Sequence, residues 1–173
     1  ADLVALATPL KHVSALTANG HVWHNAGASE AQELAFVLSS VIAYLRAAET
    51  RGIAPAAALP KIAVQVAIDA DQFLGIAKLR AVRALIVRVA DACGAAGAMP
   101  PVAAGTSWRM MTKRDPWVNM LRGTIAVFSA GIGGADTITA LPFTQALGLP
   151  SLRARIARSE GVFAASGCSA SRA

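Results

Sequence analysis

The feature that most constrains this chain is a repeated alternation of short apolar segments with longer segments of helical periodicity. Strand-like apolar segments are predicted at residues 13–22, 61–68, 102–104 and 136–141. Each is followed by a helix-like segment. Repeated strand–helix units favour parallel strands joined by right-handed crossovers, because the helix has to return the chain to the same sheet edge.

The first long helix is predicted over residues 29–48. Ser29 is followed three positions later by Gln32, which is a capping-box pattern for a helix start. Gly52 follows the helix. Apolar residues then recur at helical spacing, and we expect them to form the buried face: Leu34, Leu38, Val41 and Leu45.

Two further helices, and the start of a third, follow from similar signals. A helix over 70–92 is predicted with Asp69 as its cap. Its expected apolar stripe is Phe73, Ala77, Val82, Leu85 and Val89.

The next predicted helix begins with Asp115 as N-cap and Pro116 at its first position. Its expected buried face is Trp117, Leu121, Ile125 and Phe128, with glycines 131, 133 and 134 ending it. A final helix is predicted from Pro150 or Ser151.

Polar and aromatic residues collect in the loops that follow the predicted strands. These loops have the sequences GHVWHNAGAS, DADQ, GTSWRMMTKRD and LPFTQALGLP. The loops before the strands, TRGIAPAAALP and GAAGAMP, consist mainly of alanine, glycine and proline. An open doubly wound sheet would usually carry a glycine-rich phosphate turn, and neither GxGxxG nor GxxxxGK[ST] occurs. The asymmetry is typical of the active face of a (β/α)₈ barrel, which needs about 250 residues. Because 173 residues supply four units, we predict an α/β fold forming about half of a TIM barrel.

Composition excludes several classes of protein. The longest uncharged aliphatic stretch, residues 34–45, falls short of the roughly 20 residues of a membrane span. The start of the sequence does not read as a secretory signal. Cys93 and Cys168 have no CxxC neighbour, so we expect reduced thiols and a cytoplasmic protein. The net charge of +6 is spread over several helices, which argues against nucleic-acid binding.

The histidines in the first of these loops leave three interpretations open. The three roles for His21 and His24 are coordination of a metal ion, contact with a bound ligand at the mouth of a barrel, and a structural role in a strand-to-helix turn. Their spacing does not place two rings on one side of an extended backbone, and the remaining histidine, His12, precedes the strand. We therefore favour the structural role and expect no metal site.

The loop around Trp108 also has two interpretations. Arg109, Lys113 and Arg114 form a local basic cluster between Trp108 and Trp117. Either the loop covers a phosphate-bearing ligand or a partner chain, or its basic side chains are solvated.

Four long motifs resemble one known family. GHVWHNAGASEAQELAFVL, DADQFLGIAKLRAVR, TSWRMMTKRDPWVNMLRGTIA and GGADTITALPFTQALGLPSLRARIAR are similar to methylmalonyl-CoA mutases. The similarity is greatest to the small chain of the bacterial two-subunit enzymes and covers residues 13–158. It implies a (β/α)₈ substrate barrel threaded by a coenzyme A ester, and a separate domain that binds adenosylcobalamin. It also implies a large catalytic mutase subunit as partner and the interconversion of methylmalonyl-CoA and succinyl-CoA.

The same resemblance implies that this chain has lost catalytic groups. The catalytic chain has Gly-Tyr-His where this chain has Gly20, His21 and Val22, and valine can donate no hydrogen bond. An arginine of the family corresponds to Lys61. Its His and Gln before Thr106 and Ser107 correspond to Ala103 and Gly105. A further histidine becomes Thr139.

These replacements predict no catalytic residue in this chain. At rim positions of the barrel, the resemblance points to substrate contacts at His21, His24, Lys61, Thr106, Ser107, Arg109 and Thr139. Whether the chain is itself an enzyme stays open, with an active acyl-CoA mutase and a basic nucleic-acid-binding domain as alternatives.

The resemblance also divides the chain. The sequence starts without the family's first four barrel units, and its composition changes after Arg158. We therefore expect a partial chain in which residues 1–158 form four barrel units and residues 159–173 form a divergent, disordered tail. The cobalamin motif Asp-x-His-x-x-Gly does not occur.

Overall fold

The computed structural model describes residues 13–148 together with residues 4, 7, 9 and 10. Its sheet contains β1 (Leu16–Asn19), β2 (Ile62–Ile68), β3 (Val102–Thr106) and β4 (Thr137–Thr139) in the order β1-β2-β3-β4. Strands β1 and β2 pair in parallel, with Leu16 opposite Ile62 and Asn19 opposite Gln65. The predicted α/β fold of parallel units is thus confirmed, and it is consistent with part of a mutase (β/α) domain.

Helices connect the strands as the alternation predicts. They are α1 (His21–Asn25), α2 (Glu30–Glu49), α3 (Pro55–Ala58), α4 (Gln72–Ala92) and α5 (Pro116–Gly133). Short 3-10 turns span Leu59–Lys61, Trp108–Met110 and Gln145–Leu147. The predicted final helix, the boundary at 158 and the tail lie outside the described residues.

The predicted helix starts are confirmed for α2 and α5. The hydroxyl of Ser29 accepts from the Gln32 N–H at 3.4 Å, and the Gln32 side chain accepts from the Ser29 N–H at 2.9 Å. Asp115 Oδ1 accepts from the Trp117 N–H at 3.0 Å, with Pro116 in the first turn. Helix α5 ends at Gly134, whose φ of 86° is left-handed and suits glycine.

All strand boundaries except the carboxyl end of β2 and the amino end of β3 differ from the prediction by one to three residues, and the main differences are at the end of β1 and the start of α4. Strand β1 ends at Asn19, and residues 21–25, which the sequence places at the end of a strand and in a turn, form α1. The Gly20 carbonyl accepts from the N–H groups of Trp23 and His24, so the chain enters a helical turn at once. At the start of α4, the carboxylate of Asp71 accepts a hydrogen bond from the Leu74 N–H at 3.0 Å. The predicted cap, Asp69, instead accepts from the N–H of Asp71.

The predicted buried face of α5 is wrong, and that of α4 is right only at Val82, which is fully buried. Phe73, Leu121 and Phe128 are 80%, 68% and 54% exposed. Ala77, Leu85, Val89, Trp117 and Ile125 are not buried either. With Val82, α4 buries Gly75, Lys78, Leu79, Ile86 and Ala90, and α5 buries Asn119, Ala126, Val127, Ser129, Ala130 and Gly133. Both helices are apolar on more than one face, so spacing alone fits two stripes.

In α2 the prediction is half right. Val41 and Leu45 are buried as expected, while Leu34 and Leu38 are only half-buried. The remaining buried positions are Glu33, Val37 and Ala48. In the first half of α2, the buried face is therefore formed by Glu33 and Val37, the residues that precede Leu34 and Leu38.

The chain is divided into two compact units, Ala1–Val66 with Ala81–Ala103, and Ala67–Arg80 with Ala104–Ala173. In the first unit α2 packs on β1, and buried aliphatic residues of β2 such as Ile62 and Val64 belong to its core. In the second unit α5 packs beside β4, and Gly133 of α5 closely approaches the Leu79 side chain.

Helix α2 is long and apolar enough to cross a membrane when length and composition are the only criteria. A core helix of a globular protein meets the same criteria. The Val37, Val41 and Leu45 side chains of α2 are buried, and so is the Glu33 carboxylate. This pattern favours a core helix.

Candidate functional site

In the first unit, the chain leaves β1 through Gly20, where there is no room for a side chain. The Gly20 N–H donates to the Gln65 carbonyl at 2.8 Å. A Cβ atom at this position would lie 2.7 Å from Glu33 Oε1 and 3.0 Å from the Gln65 oxygen. Glycine therefore lets the first turn of α2 pack directly against the end of β1.

His24 and Glu33 form a buried pair beside this turn. His24 Nδ1 lies 3.2 Å from Glu33 Oε2, and both side chains are fully buried. Glu30, 18% exposed, lies 3.8 Å from the same nitrogen. A buried carboxylate needs a partner of this kind because burial otherwise penalises its charge. The geometry supports the structural interpretation of His24 rather than a substrate contact.

His24, Glu30 and Glu33 are also the kind of residues that hold a divalent cation. Each offers one ligand atom, and these atoms all lie within 4.8 Å of one another. The sequence does not indicate this grouping, because acidic residues are common in the first turn of a helix, where they interact favourably with the helix dipole. Two of these ligand atoms, His24 Nδ1 and Glu33 Oε2, lie 3.2 Å apart and face each other.

The other rim candidates of the first unit are His21 and Lys61. His21 is half-buried, and its N–H donates to Asn19 Oδ1 at 2.9 Å. Val22 is 62% exposed, and Trp23 stacks on Phe36 with ring centroids 3.9 Å apart. Lys61 lies at the amino end of β2, and its Nζ donates to the Leu10 carbonyl at 2.5 Å. It therefore does not share the strand end that carries His21.

In the second unit, the carboxyl end of β3 is tightly held by hydrogen bonds. Thr106 Oγ1 accepts from the Leu141 N–H at 2.7 Å, and the Ser107 N–H donates to the Ile68 carbonyl at 2.7 Å. Both side chains are buried. The Ser107 hydroxyl accepts from the Arg109 N–H at 3.2 Å and so starts the following 3-10 turn. Thr106 and Ser107 thus fix the loop backbone.

Arg109 and Thr139 are rim candidates that are exposed. The Arg109 guanidinium is 39% exposed and lies 3.9 Å from the Asp69 carboxylate, which follows β2. Such a partly exposed pair contributes little to stability, of the order of 1 kcal/mol or less. Lys113 and Arg114 in the same loop are exposed, and Thr139 is exposed at the end of β4. The basic side chains are therefore available to an anionic group.

Asn119 is a buried polar residue that the sequence analysis did not single out. It lies in α5, which reads as an apolar helix, and is 1% exposed. Its amide contacts the loops after β3 and β4. Asp69 was named only as a helix cap, although it is the acidic neighbour of Arg109.

Comparison with known proteins gives a consistent result. A family model described as "Methylmalonyl-CoA mutase" matches residues 4–171, nearly the whole chain. The matched range extends beyond residue 158, where we predict the tail to begin.

Two similar relatives are both named methylmalonyl-CoA mutase small subunit. The protein of Streptomyces virginiae is 52% identical over 143 residues, which are 82% of this chain and 23% of that protein. The protein of Propionibacterium freudenreichii subsp. shermanii is 46% identical over 154 residues, 86% of this chain and 24% of that protein. A methylmalonyl-CoA mutase large subunit from Porphyromonas gingivalis is 28% identical over 155 residues, 87% of this chain and 22% of that protein. The chain thus spans about a quarter of the length of these relatives.

Proposed function

Because the chain belongs to the methylmalonyl-CoA mutase family, we propose that it forms part of the substrate barrel of a small, non-catalytic mutase subunit. The observation that carries this proposal is the pattern of identities. The chain is 46% to 52% identical to the two proteins named small subunit and 28% identical to the one named large subunit. The identity is thus higher to the small subunits than to the large one.

In this proposal the chain supports the interconversion of methylmalonyl-CoA and succinyl-CoA by pairing with a large catalytic subunit. Relatives named small and large subunit imply a heterodimeric partner. The catalytic groups reside in the large chain, and this chain contributes packing and, at its rim, binding groups.

The residues at the end of β1 support a non-catalytic role. Where the resemblance places a Tyr-His pair, this chain has His21 and Val22. Val22 is 62% exposed and carries no donor that could bind a thioester carbonyl. His24 is engaged by Glu33 and does not replace the lost histidine.

Cobalamin belongs to the family's chemistry, but the described residues of this chain do not fit that group. Where a protein histidine ligates the cobalt, its nitrogen has to be accessible to the cofactor. His24 is fully buried and the Nε2 atom of His21 is buried as well. We therefore place adenosylcobalamin in the assembled enzyme, outside these residues, and assign this chain no step that involves it.

The accessible basic loop supports binding of a coenzyme A ester. Arg109, Lys113 and Arg114 are accessible, and a coenzyme A ester carries several phosphate charges that a guanidinium binds well. Ser107 and Thr106 hold the loop in place, while Thr139 offers an exposed hydroxyl. No further ligand contact is assigned to Lys61, because it faces the other end of β2.

The alternatives are not favoured by the relatives. An active acyl-CoA mutase needs the Tyr-His pair that is replaced here, and a nucleic-acid-binding domain has no counterpart among the similar proteins named above. The metabolic role of the relatives supports a cytoplasmic location away from membranes.

A turnover assay tests the proposal. Methylmalonyl-CoA and adenosylcobalamin are supplied to the chain alone, to a large subunit alone and to both together, and succinyl-CoA is measured. We expect no turnover by this chain alone, and turnover that depends on the large subunit. Turnover by the purified chain without any large subunit would refute the non-catalytic assignment.

A further inference from the structure

Asn119 joins two loops of the second unit through a single buried amide. Its Oδ1 accepts from the Thr112 N–H at 2.9 Å. Its Nδ2 donates to the Thr112 carbonyl at 2.9 Å and to the Phe143 carbonyl at 2.9 Å. Thr112 belongs to the loop of residues 107–115 after β3, and Phe143 to the loop of residues 140–144 after β4.

An asparagine is the side chain that fits these three contacts. Pairing with both the N–H and the carbonyl of one residue requires an acceptor and a donor side by side, and the second N–H of the amide then reaches Phe143. An aspartate of the same shape would face two carbonyl oxygens without a donor. A leucine would leave the Thr112 N–H and two carbonyls without this partner in a buried place.

Neighbouring contacts connect the same two loops to each other and to α5. The Leu141 N–H donates to Thr106 Oγ1 at the start of the 107–115 loop. The rings of Trp117 and Phe143 stack with centroids 5.2 Å apart. Arg122 Nη1 donates to the Met110 carbonyl at 2.7 Å. Asn119 is the one of these residues that contacts both loops with hydrogen bonds at once.

The 107–115 loop also carries the accessible basic side chains. Arg109 is three residues before Thr112, and Lys113 and Arg114 follow it directly. Fixing the Thr112 backbone therefore restricts where these three side chains can reach. A preorganised loop loses less conformational entropy when it meets an anion, which raises its affinity.

We propose that Asn119 is a positioning residue: its amide latches the 107–115 and 140–144 loops together and so holds Arg109, Lys113 and Arg114 in place for the phosphate groups of a coenzyme A ester. This inference rests on the proposed function for its ligand. The latch itself rests on the three hydrogen bonds alone.

Hydrogen exchange tests the latch on the full chain. Asn119→Leu keeps the number and branching of the side-chain heavy atoms and removes all three hydrogen bonds. We expect amide exchange in both loops to accelerate by about 10- to 100-fold, because local opening follows the free energy of the lost contacts. Asn119→Ser, which keeps one short donor and acceptor, should lie between wild type and Asn119→Leu and serves where the leucine variant does not fold.

Ser129→Ala is the matched control. Ser129 is a buried polar residue of the same helix, but its hydroxyl donates within α5, to the Ala126 carbonyl at 2.9 Å. This variant loses a buried hydrogen bond without touching either loop, so loop exchange should stay at the wild-type rate. Equal acceleration in Ser129→Ala, or unchanged loop exchange in both Asn119 variants, would overturn the latch.

Binding of coenzyme A itself, measured by calorimetry on the chain assembled with a large subunit, tests the positioning role. We expect the Asn119 variants to bind at least about 5-fold more weakly, and Ser129→Ala to bind like wild type. Faster loop exchange with unchanged affinity would reject the positioning role. The large subunit alone is measured as the reference, because it has its own coenzyme A site in the proposed function. A wild-type assembly that binds no more coenzyme A than the large subunit alone would contradict the proposed function and the ligand named here, while the exchange result still decides whether the latch exists.

Discussion

At the end of β1, the carboxylate of Glu33 is enclosed between the imidazole of His24 and the backbone of Gly20. Replacing both members of such a pair by apolar groups can leave the stability unchanged. Removing one member leaves the other buried without this partner, which is destabilising. This contact therefore defines how the residues between β1 and α2 fold, although neither side chain reaches solvent.

Glu33→Ala should destabilise the chain by about 1–3 kcal/mol, because it leaves the buried His24 imidazole without its nearest acidic neighbour. Glu30→Ala is the control. Its carboxylate is farther from the imidazole, at 3.8 Å, and partly exposed, so its loss should cost at most about 1 kcal/mol. Urea denaturation of both variants measures the difference. Equal losses in the two variants would contradict the role assigned to Glu33.

Gly20→Ala should cost about 1–3 kcal/mol, since the new methyl group meets Glu33 and the Gln65 carbonyl. Gly123→Ala, in the middle of α5, meets nothing within 4 Å and should stabilise the helix by up to about 1 kcal/mol. Thermal unfolding compares the two substitutions. A stable Gly20→Ala protein would show that the turn can move away from Glu33.

At the scale of elements, α4 and α5 bury narrow stripes and expose large apolar side chains. In α5 the buried residues include Ala126, Ala130 and Gly133, and the exposed ones include Leu121 and Phe128. Small residues allow close approach to the neighbouring backbone and side chains, as Gly133 does at Leu79. The bulky residues are therefore left on the outer face.

This arrangement makes opposite predictions for two leucines. Leu79→Ala should cost about 2–5 kcal/mol, because Leu79 is fully buried and its loss leaves a cavity. Leu121→Ala should change the free energy of unfolding by less than about 0.5 kcal/mol, since Leu121 is 68% exposed. Both are measured by denaturant titration. A large loss at Leu121 would mean that the outer face of α5 is buried in solution.

For the whole molecule, the exposed side of α5 is a surface of large apolar residues at helical spacing: Trp117, Leu121, Ile125, Phe128 and Ile132. Apolar patches of more than a few hundred Å² usually mark contacts with other protein surfaces. The relatives are about four times as long as this chain, so further protein is available to cover such a face in them.

The chain by itself should therefore self-associate as its concentration rises. Size-exclusion chromatography with light scattering across micromolar concentrations measures the effect, and Leu121→Lys combined with Phe128→Lys should reduce it. Lysine at these exposed positions costs little stability, so circular dichroism should show unchanged helix content. A compact monomer at every concentration would contradict the prediction.

Sequence reasoning placed the elements because their signals are local. The capping box at Ser29, the Asp115-Pro116 start and the β-branched run of β2 depend on neighbours a few residues away. The family resemblance rests on consecutive motifs and is confirmed by the match over residues 4–171. It also indicated the rim loops, since the carboxyl ends of parallel strands carry the ligand-binding residues of such folds.

The sequence by itself determined the alternation of strands with long helices, the starts of α2 and α5 and the family, because each depends on short-range patterns or on the identity of consecutive residues. Only the tertiary structure decided which stripe of α4 and α5 is buried, that His24 pairs with Glu33, and that Asn119 joins two loops. Those outcomes depend on contacts between groups 7 to 54 residues apart in the sequence. Where a helix is apolar on several sides, the shape of its neighbours, rather than its own periodicity, selects the side that is buried.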